Sequence, residues 1–167
     1  GMAGGSTDAA AVLVGCNDLF KLGLSEGELM TLGAEIGSDV PFCVCGGTAI
    51  AEGRGEIVTP LPPLPVMHVV LSRADYGVST ASVYKAIKPS DIHPNEKLFE
   101  EVCAAVRAGD TAFIERHLYN ALEAPSFRVD KRTKTRKELL LRHGAENVLM
   151  SGSGPTLFGL YANQLDA

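Results

Sequence analysis

Apolar residues recur at helical spacing early in the chain. Val12, Leu13, Cys16, Leu19 and Phe20 fall three and four positions apart, which predicts a helix over residues 9–20. Ser6, Thr7 and Asp8 stand ahead of it and offer side-chain oxygens suited to capping its free N–H groups. Ser25 and Glu28 have capping-box spacing, so a second helix is expected from residue 26 to Ile36, stopped by Gly37. Asp39-Val40-Pro41 then breaks the helical pattern. Residues 42–50 read as extended with an interruption at Gly46-Gly47, and Gly53-Arg54-Gly55 reads as the turn of a hairpin into residues 56–59. On such a strand Cys43 and Cys45 would share one face.

Pro60-Leu61-Pro62-Pro63-Leu64-Pro65 is the clearest boundary, because a proline-dense segment suits neither a helix nor a central strand. Residues 66–71 read as a buried strand. Ser79-Thr80 caps a helix over 81–87, and 89–94 read as loop. Helices are expected over 95–107, 110–123 and 129–143, the last closed by Gly144. The final pattern is strand (147–150), glycine turn (151–154) and strand (156–161). This order of elements predicts an α+β fold rather than a doubly wound parallel sheet.

Charge narrows the partners. With 167 residues, a net charge of −5 and a pI near 5.3, the chain is poorly suited to nucleic acid or an anionic membrane surface. No apolar run reaches membrane-span length and no signal peptide opens the chain, so neither nucleic acid nor membrane is expected as a partner. The four cysteines lack Cys-x-x-Cys spacing and sit among apolar residues, which fits buried thiols and a reducing, cytoplasmic setting. His68, His93, His117 and His143 show no ligand spacing. The basic run Arg128, Lys131, Arg132, Lys134, Arg136 and Lys137 reads as a solvated helix face.

Three stretches are candidates for chemistry. Gly1-Met2-Ala3-Gly4-Gly5-Ser6-Thr7-Asp8 feeds a helix, so it is either a phosphate cradle or a flexible tail. Asp39, within Gly37-Ser38-Asp39-Val40-Pro41-Phe42, is either a general base or a turn aspartate. Ser151-Gly152-Ser153-Gly154 is either an anion-binding nest of N–H groups or a turn that needs left-handed backbone.

Together these stretches resemble the GHMP small-molecule kinases. Residues 1–11 resemble the family's second motif, and Met150-Ser151-Gly152-Ser153-Gly154-Pro155-Thr156-Leu157-Phe158 resembles its third. Residues 37–42 followed by Ala51-Glu52-Gly53-Arg54-Gly55-Glu56 are similar to the branch acting on 4-diphosphocytidyl-2-C-methyl-D-erythritol. Gly77-Val78-Ser79-Thr80 ahead of Val83-Tyr84, and Asn120-Ala121-Leu122-Glu123, also resemble that branch.

The resemblance implies a two-domain fold. A partial ribosomal S5 domain 2-like N-terminal domain would span residues 1–62, and a ferredoxin-like C-terminal domain residues 63–167. It also implies Mg²⁺-dependent transfer of a phosphoryl group from ATP to a hydroxyl of a cytidine-diphosphate derivative of methylerythritol, a step of non-mevalonate isoprenoid synthesis. Gly1, Met2, Ala3, Gly4, Gly5, Ser6 and Thr7 would cradle the ATP phosphates, with Ser6 or Thr7 near the metal. Gly152, Ser153 and Gly154 would line the nucleotide cleft. Asp39 would stand as the catalytic aspartate, and Tyr84 is either an aromatic near the cytidine pocket or a core tyrosine.

Departures from the family pattern set further expectations. The resemblance starts inside the second motif, without the first motif and its lysine, and stops short of the last helix and strand. Ala3 stands where many members have glycine, and Gly1 before Met2 has the form of a cleaved-tag remnant. The expectation is an internal piece of the enzyme that self-associates and has no turnover alone. The alternatives are a non-catalytic fragment with residual nucleotide binding and an S5-like nucleic-acid binder, the latter poorly served by the acidic charge.

Overall fold

The computed structural model describes residues 2–92, 95–145 and 147–161. Gly1, His93, Pro94 and residues 162–167, all part of the sequence reading, lie outside the described residues. The chain folds as two compact units, one of them Ala3–Pro63 and the other built from Leu64 onward.

The first unit holds α1 (Gly4–Phe20), α2 (Glu26–Ile36), α3 (Val40–Cys45) and a hairpin of β1 (Thr48–Glu52) and β2 (Ile57–Leu61). α1 begins five residues earlier than its apolar periodicity predicts. Ser6, Thr7 and Asp8 are therefore inside the helix and cap nothing; Ala3 occupies the N-cap position with φ 47° and no side-chain bond. The expected capping box on α2 is present: Ser25 Oγ accepts the Glu28 N–H while the Ser25 N–H donates to Glu28 Oε2. Asn17 ties α1 to the approach of α2, donating to the Leu24 carbonyl and accepting the Leu24 N–H.

The expected strand at 42–45 is instead helix α3, so Cys43 and Cys45 do not share a strand face. Pro41 lies in its first turn, where a missing N–H breaks no bond. Packing favours the helix: Gly33 on α2 lies so close to Val40 that an added Cβ would meet Val40 Cγ1 at 2.8 Å. Ala10, Leu29, Val40 and Pro41 are buried there, whereas Leu19, Phe20, Ile36 and Ile57 are exposed. β2 runs through Pro60, which pairs with Ala49 in a two-stranded sheet. Every strand of such a sheet is an edge, so a proline is tolerated.

The second unit is a three-stranded antiparallel sheet, ordered β3 (His68–Ser72), β5 (Leu157–Tyr161), β4 (Asn147–Met150). Val148, Met150, Leu157 and Tyr161 lie on one face of it, packed with Ala145 and against Leu122, Phe127 and Leu140. The helices are α4 (Thr80–Lys85), α5 (Glu96–Ala108), α6 (Thr111–Arg116), α7 (Glu123–Val129) and α8 (Lys131–Arg142). Ser79 caps α4 as expected, accepting the Ser82 N–H. Part of the expected 89–94 loop is a single 3₁₀ turn at Pro89–Asp91.

The helix expected over 110–123 ends at Arg116. Beyond it Asn120 Oδ1 takes the Leu122 N–H, a local bond that competes with helical pairing. The helix expected over 129–143 starts only at Lys131, because Asp130 caps it through the Arg132 N–H. All four cysteines are free thiols, but only Cys103 is buried; Cys16, Cys43 and Cys45 are half-buried, which corrects the expectation of fully buried thiols.

Candidate functional site

The backbone N–H groups of the opening stretch lie in the first turn of α1 rather than in a loop ahead of it. The earliest intrahelical bond is from the Thr7 N–H to the Ala3 carbonyl, so the N–H groups of Gly4, Gly5 and Ser6 lie in the turn where a helix leaves donors unpaired. A Cβ added at Gly4 or Gly5 would meet nothing within 4 Å, so there is open space over this turn. Thr7 Oγ1 donates to the Ala3 carbonyl at 3.1 Å and lies 3.7 Å from Cys43 Sγ on α3. Its hydrogen is committed, and its lone pairs suit a hard cation. Ser6 is half-buried beside it. Among the described residues no group of three or more His, Cys, Asp or Glu side chains could hold a metal ion.

Asp39 sits at the N-cap position of α3, one helical turn before Cys43, whose N–H donates to the Asp39 carbonyl. The α3 N-terminal turn and the first turn of α1 are thereby neighbours through the Thr7–Cys43 contact. The Asp39 side chain makes no capping bond and is exposed. Among the described residues its carboxylate has no hydrogen-bond or ion-pair partner, so it is available to a ligand hydroxyl.

The 151–154 turn joins β4 to β5 and is held from outside. Asn120 Nδ2 donates to both the Met150 and Gly152 carbonyls, at 2.7 and 2.8 Å. Fully buried Ser126 donates to the Ser153 carbonyl at 3.2 Å, and Arg136 reaches the Pro155 carbonyl at 3.4 Å. Thr80 at the start of α4 shares a 2.9 Å hydrogen bond with the Ser153 hydroxyl. Glu123 Oε1 accepts the Met150 N–H at 3.0 Å, and the Lys137 ammonium holds that carboxylate at 2.6 and 2.8 Å. Within the turn the Gly154 N–H donates to Ser151 and the Ser151 N–H to Thr156. Among the described residues the Gly152 and Ser153 N–H groups have no acceptor. Gly154, with φ 83°, has no room for a side chain: a Cβ would meet Met150 Sδ at 2.6 Å.

Sequence reading missed these supports. The signal was present as Asn120-Ala121-Leu122-Glu123, but its target lies about thirty residues further along the chain. The basic run is not simply a solvated face. Lys137 pairs with Glu123, Arg136 bonds Ser72 Oγ at 2.6 Å, and Arg132 pairs with Asp130 while stacking 3.7 Å from the Tyr76 ring. Arg128 pairs with Asp91 and holds its carboxyl below the usual range, aided by the Lys88 N–H. Lys131 and Lys134 stay exposed, as expected of a solvated face, with Lys134 3.9 Å from Glu138 one turn on. Tyr84, on α4, is exposed rather than a core residue. His117 stacks on Phe113 and its Nδ1 lies 2.8 Å from the Phe113 carbonyl, a structural role.

Comparison with known proteins gives the family that the chain resembles. Residues 1–47 match the GHMP kinases N terminal domain and residues 99–167 the GHMP kinases C terminal domain. The chain is 50% identical over 160 residues to 4-diphosphocytidyl-2-C-methyl-D-erythritol kinase of Shouchella clausii, covering 96% of this chain and 53% of that protein. It is 48% identical over 165 residues to the protein of the same name from Moorella thermoacetica, covering 98% and 58%. The chain thus spans just over half the length of these curated relatives. A crystal structure of 4-(cytidine 5'-diphospho)-2C-methyl-D-erythritol kinase matches with a TM-score of 0.80 at 35% identity, over 99% of this chain and 58% of that one. Homoserine kinase from Cytophaga hutchinsonii matches with a TM-score of 0.73 at 21% identity, over 90% and 52%, a likeness of fold. No helix of the described residues is long and apolar enough to cross a membrane.

Proposed function

Since the chain belongs to the GHMP kinase family, we propose that it supplies phosphate-binding and hydroxyl-activating parts of an ATP-dependent kinase acting on 4-diphosphocytidyl-2-C-methyl-D-erythritol. The observation that carries this reading is 50% identity to a kinase of that name across 96% of the chain. Residues 1–62 belong, in this reading, to the nucleotide-binding domain, and 63–167 to the C-terminal domain.

The geometry of each unit is consistent with phosphoryl transfer, where positioning and charge stabilisation do most of the work. Among the described residues the N–H groups of Gly4, Gly5 and Ser6 have no acceptor, and they suit phosphate oxygens, as does the Gly152–Ser153 N–H pair. Met2 and Ala3 lead into that first turn, and Gly154 closes the second group. Asp39 orients the acceptor hydroxyl and takes its proton as the oxygen bonds to the γ-phosphorus and the bond to the β–γ bridging oxygen breaks. Mg²⁺, when bound, neutralises charge on the phosphate oxygens; Ser6 or Thr7 would hold it, since their hydroxyl oxygens suit a hard cation. The free thiols accord with a reducing, cytoplasmic setting. Exposed Leu19 and Phe20 on α1 favour self-association of this chain when it is alone.

The test is transfer of labelled γ-phosphate from ATP to the cytidyl acceptor, using the chain expressed with its flanking coding sequence. Asp39→Asn lowers the rate by about 10²–10⁴-fold while nucleotide affinity holds. An unchanged rate would overturn the assignment. A second reading, nucleotide binding without turnover, rests on the chain spanning just over half of its relatives. It predicts Mg·ATP affinity and no transfer by the chain alone.

A further inference from the structure

We propose that Asn120 is a positioning residue that aims the Ser153 N–H at a bound phosphate. The proposal rests on the reading of the 151–154 turn as an anion site. A trans peptide is planar, with its C=O and N–H pointing in opposite directions. Fixing the Gly152 carbonyl therefore fixes the direction of the Ser153 N–H, which belongs to the same peptide unit. Asn120 does this with one hydrogen of its amide and uses the other on the Met150 carbonyl, two residues earlier. Its own orientation is set in turn, because Oδ1 is committed to the Leu122 N–H at 2.9 Å.

The rest of the surround leaves the Gly152 carbonyl to Asn120. Ser126 holds the Ser153 carbonyl, whose peptide N–H is spent inside the turn on Ser151. Glu123 and Lys137 secure the end of β4 through the Met150 N–H. No other side chain among the described residues reaches the Gly152 carbonyl. A donor is required there. Aspartate of the same shape would set a carboxylate against two carbonyl oxygens, and alanine would release both.

The experiment compares the wild-type chain with Asn120→Ala and Asn120→Asp, using Mg·ADP and adenosine as probes in calorimetry. Amide exchange at Gly154 and unfolding in urea are measured on the same samples. Both variants are expected to stay folded, with Gly154 exchanging about tenfold faster because its turn is no longer clamped. Mg·ADP affinity falls about tenfold or more while adenosine affinity is unchanged, since adenosine carries no phosphate. A loss of stability alone would lower both affinities together. Equal ADP-to-adenosine ratios in wild type and variants, with Gly154 protection retained, overturn the proposal. If the wild type itself does not prefer Mg·ADP to adenosine, the phosphate reading of the turn fails. Gly154 exchange then decides separately whether Asn120 sets the turn. If either variant is unfolded, Asn120→Ser is measured in its place, and unchanged Gly154 protection there counts against the proposal.

Discussion

Two glycine-bearing stretches offer backbone donors that have no partner among the described residues, and they are held in opposite ways. The first turn of α1 gets its shape from its own helix: no side chain caps it, and Gly4 and Gly5 face open space. The 151–154 turn gets its shape from the residues around it. Asn120 and Ser126 hold its carbonyls, Arg136 holds that of Pro155 just after it, and Gly154 is pressed against Met150. Glycine in the first place leaves room for a ligand. In the second, Gly154 leaves room for the protein itself. The same residue type thus serves access in one unit and packing in the other.

The contrast predicts opposite mutational behaviour, sharpest at the two glycines. Gly154→Ala combines left-handed strain with a 2.6 Å contact to Met150 Sδ, and is expected to cost about 3 kcal/mol in urea unfolding. A neutral result would mean that the turn is not packed as described. Glu123→Gln removes the charge that Lys137 pairs with and weakens the acceptor for the Met150 N–H. We expect a loss of about 2 kcal/mol, with Lys137→Met as a second mutation adding little to it.

Substitutions in the α1 turn should go the other way. Gly5→Ala should be neutral or stabilise by up to about 1 kcal/mol, as alanine favours a helix, yet its methyl group occupies the open space and weakens Mg·ATP binding. Stability and affinity moving together at Gly5 would break the contrast. Ala3→Gly relieves a left-handed alanine and should add about 1 kcal/mol to thermal or urea stability.

The smallest effect concerns acid. Arg128 holds the Asp91 carboxyl below its ordinary value of 3.8, so the pair's contribution is complete above that value. It fades as pH falls through the lower folded value. Melting temperatures followed downward from about pH 5 should drop less steeply in Asp91→Asn than in wild type, and matching slopes would count against the pairing.

Much of this was legible because it is local. The Ser25–Glu28 capping box, the Ser79 cap and the glycine turn between two strands each depend on residues only a few positions apart. Helix α3 was not legible, since Phe42-Cys43-Val44-Cys45 is a short apolar run with no period of its own. What decides its form is the close approach of Gly33 to Val40. The start of α1 is hidden because its glycines suggest a loop, although the bond from Thr7 to Ala3 already belongs to the helix. The candidate residues Asp39, Ser6, Thr7 and Gly152 could be named from motif likeness. Asn120 and Glu123 bond across about thirty residues of sequence, so their roles needed the fold. The pairing of the basic run is hidden for the same reason, with Asp91 and Ser72 distant in sequence from the arginines they meet.

The most direct test of the central claim is phosphorus NMR of the chain, expressed with its flanking coding sequence, with Mg·ATP and candidate acceptors. The account predicts that ADP and one new phosphomonoester appear one for one with 4-diphosphocytidyl-2-C-methyl-D-erythritol, and that neither appears with methylerythritol lacking the cytidylyl group. Consumption of ATP at the same rate with and without the cytidyl acceptor would contradict it.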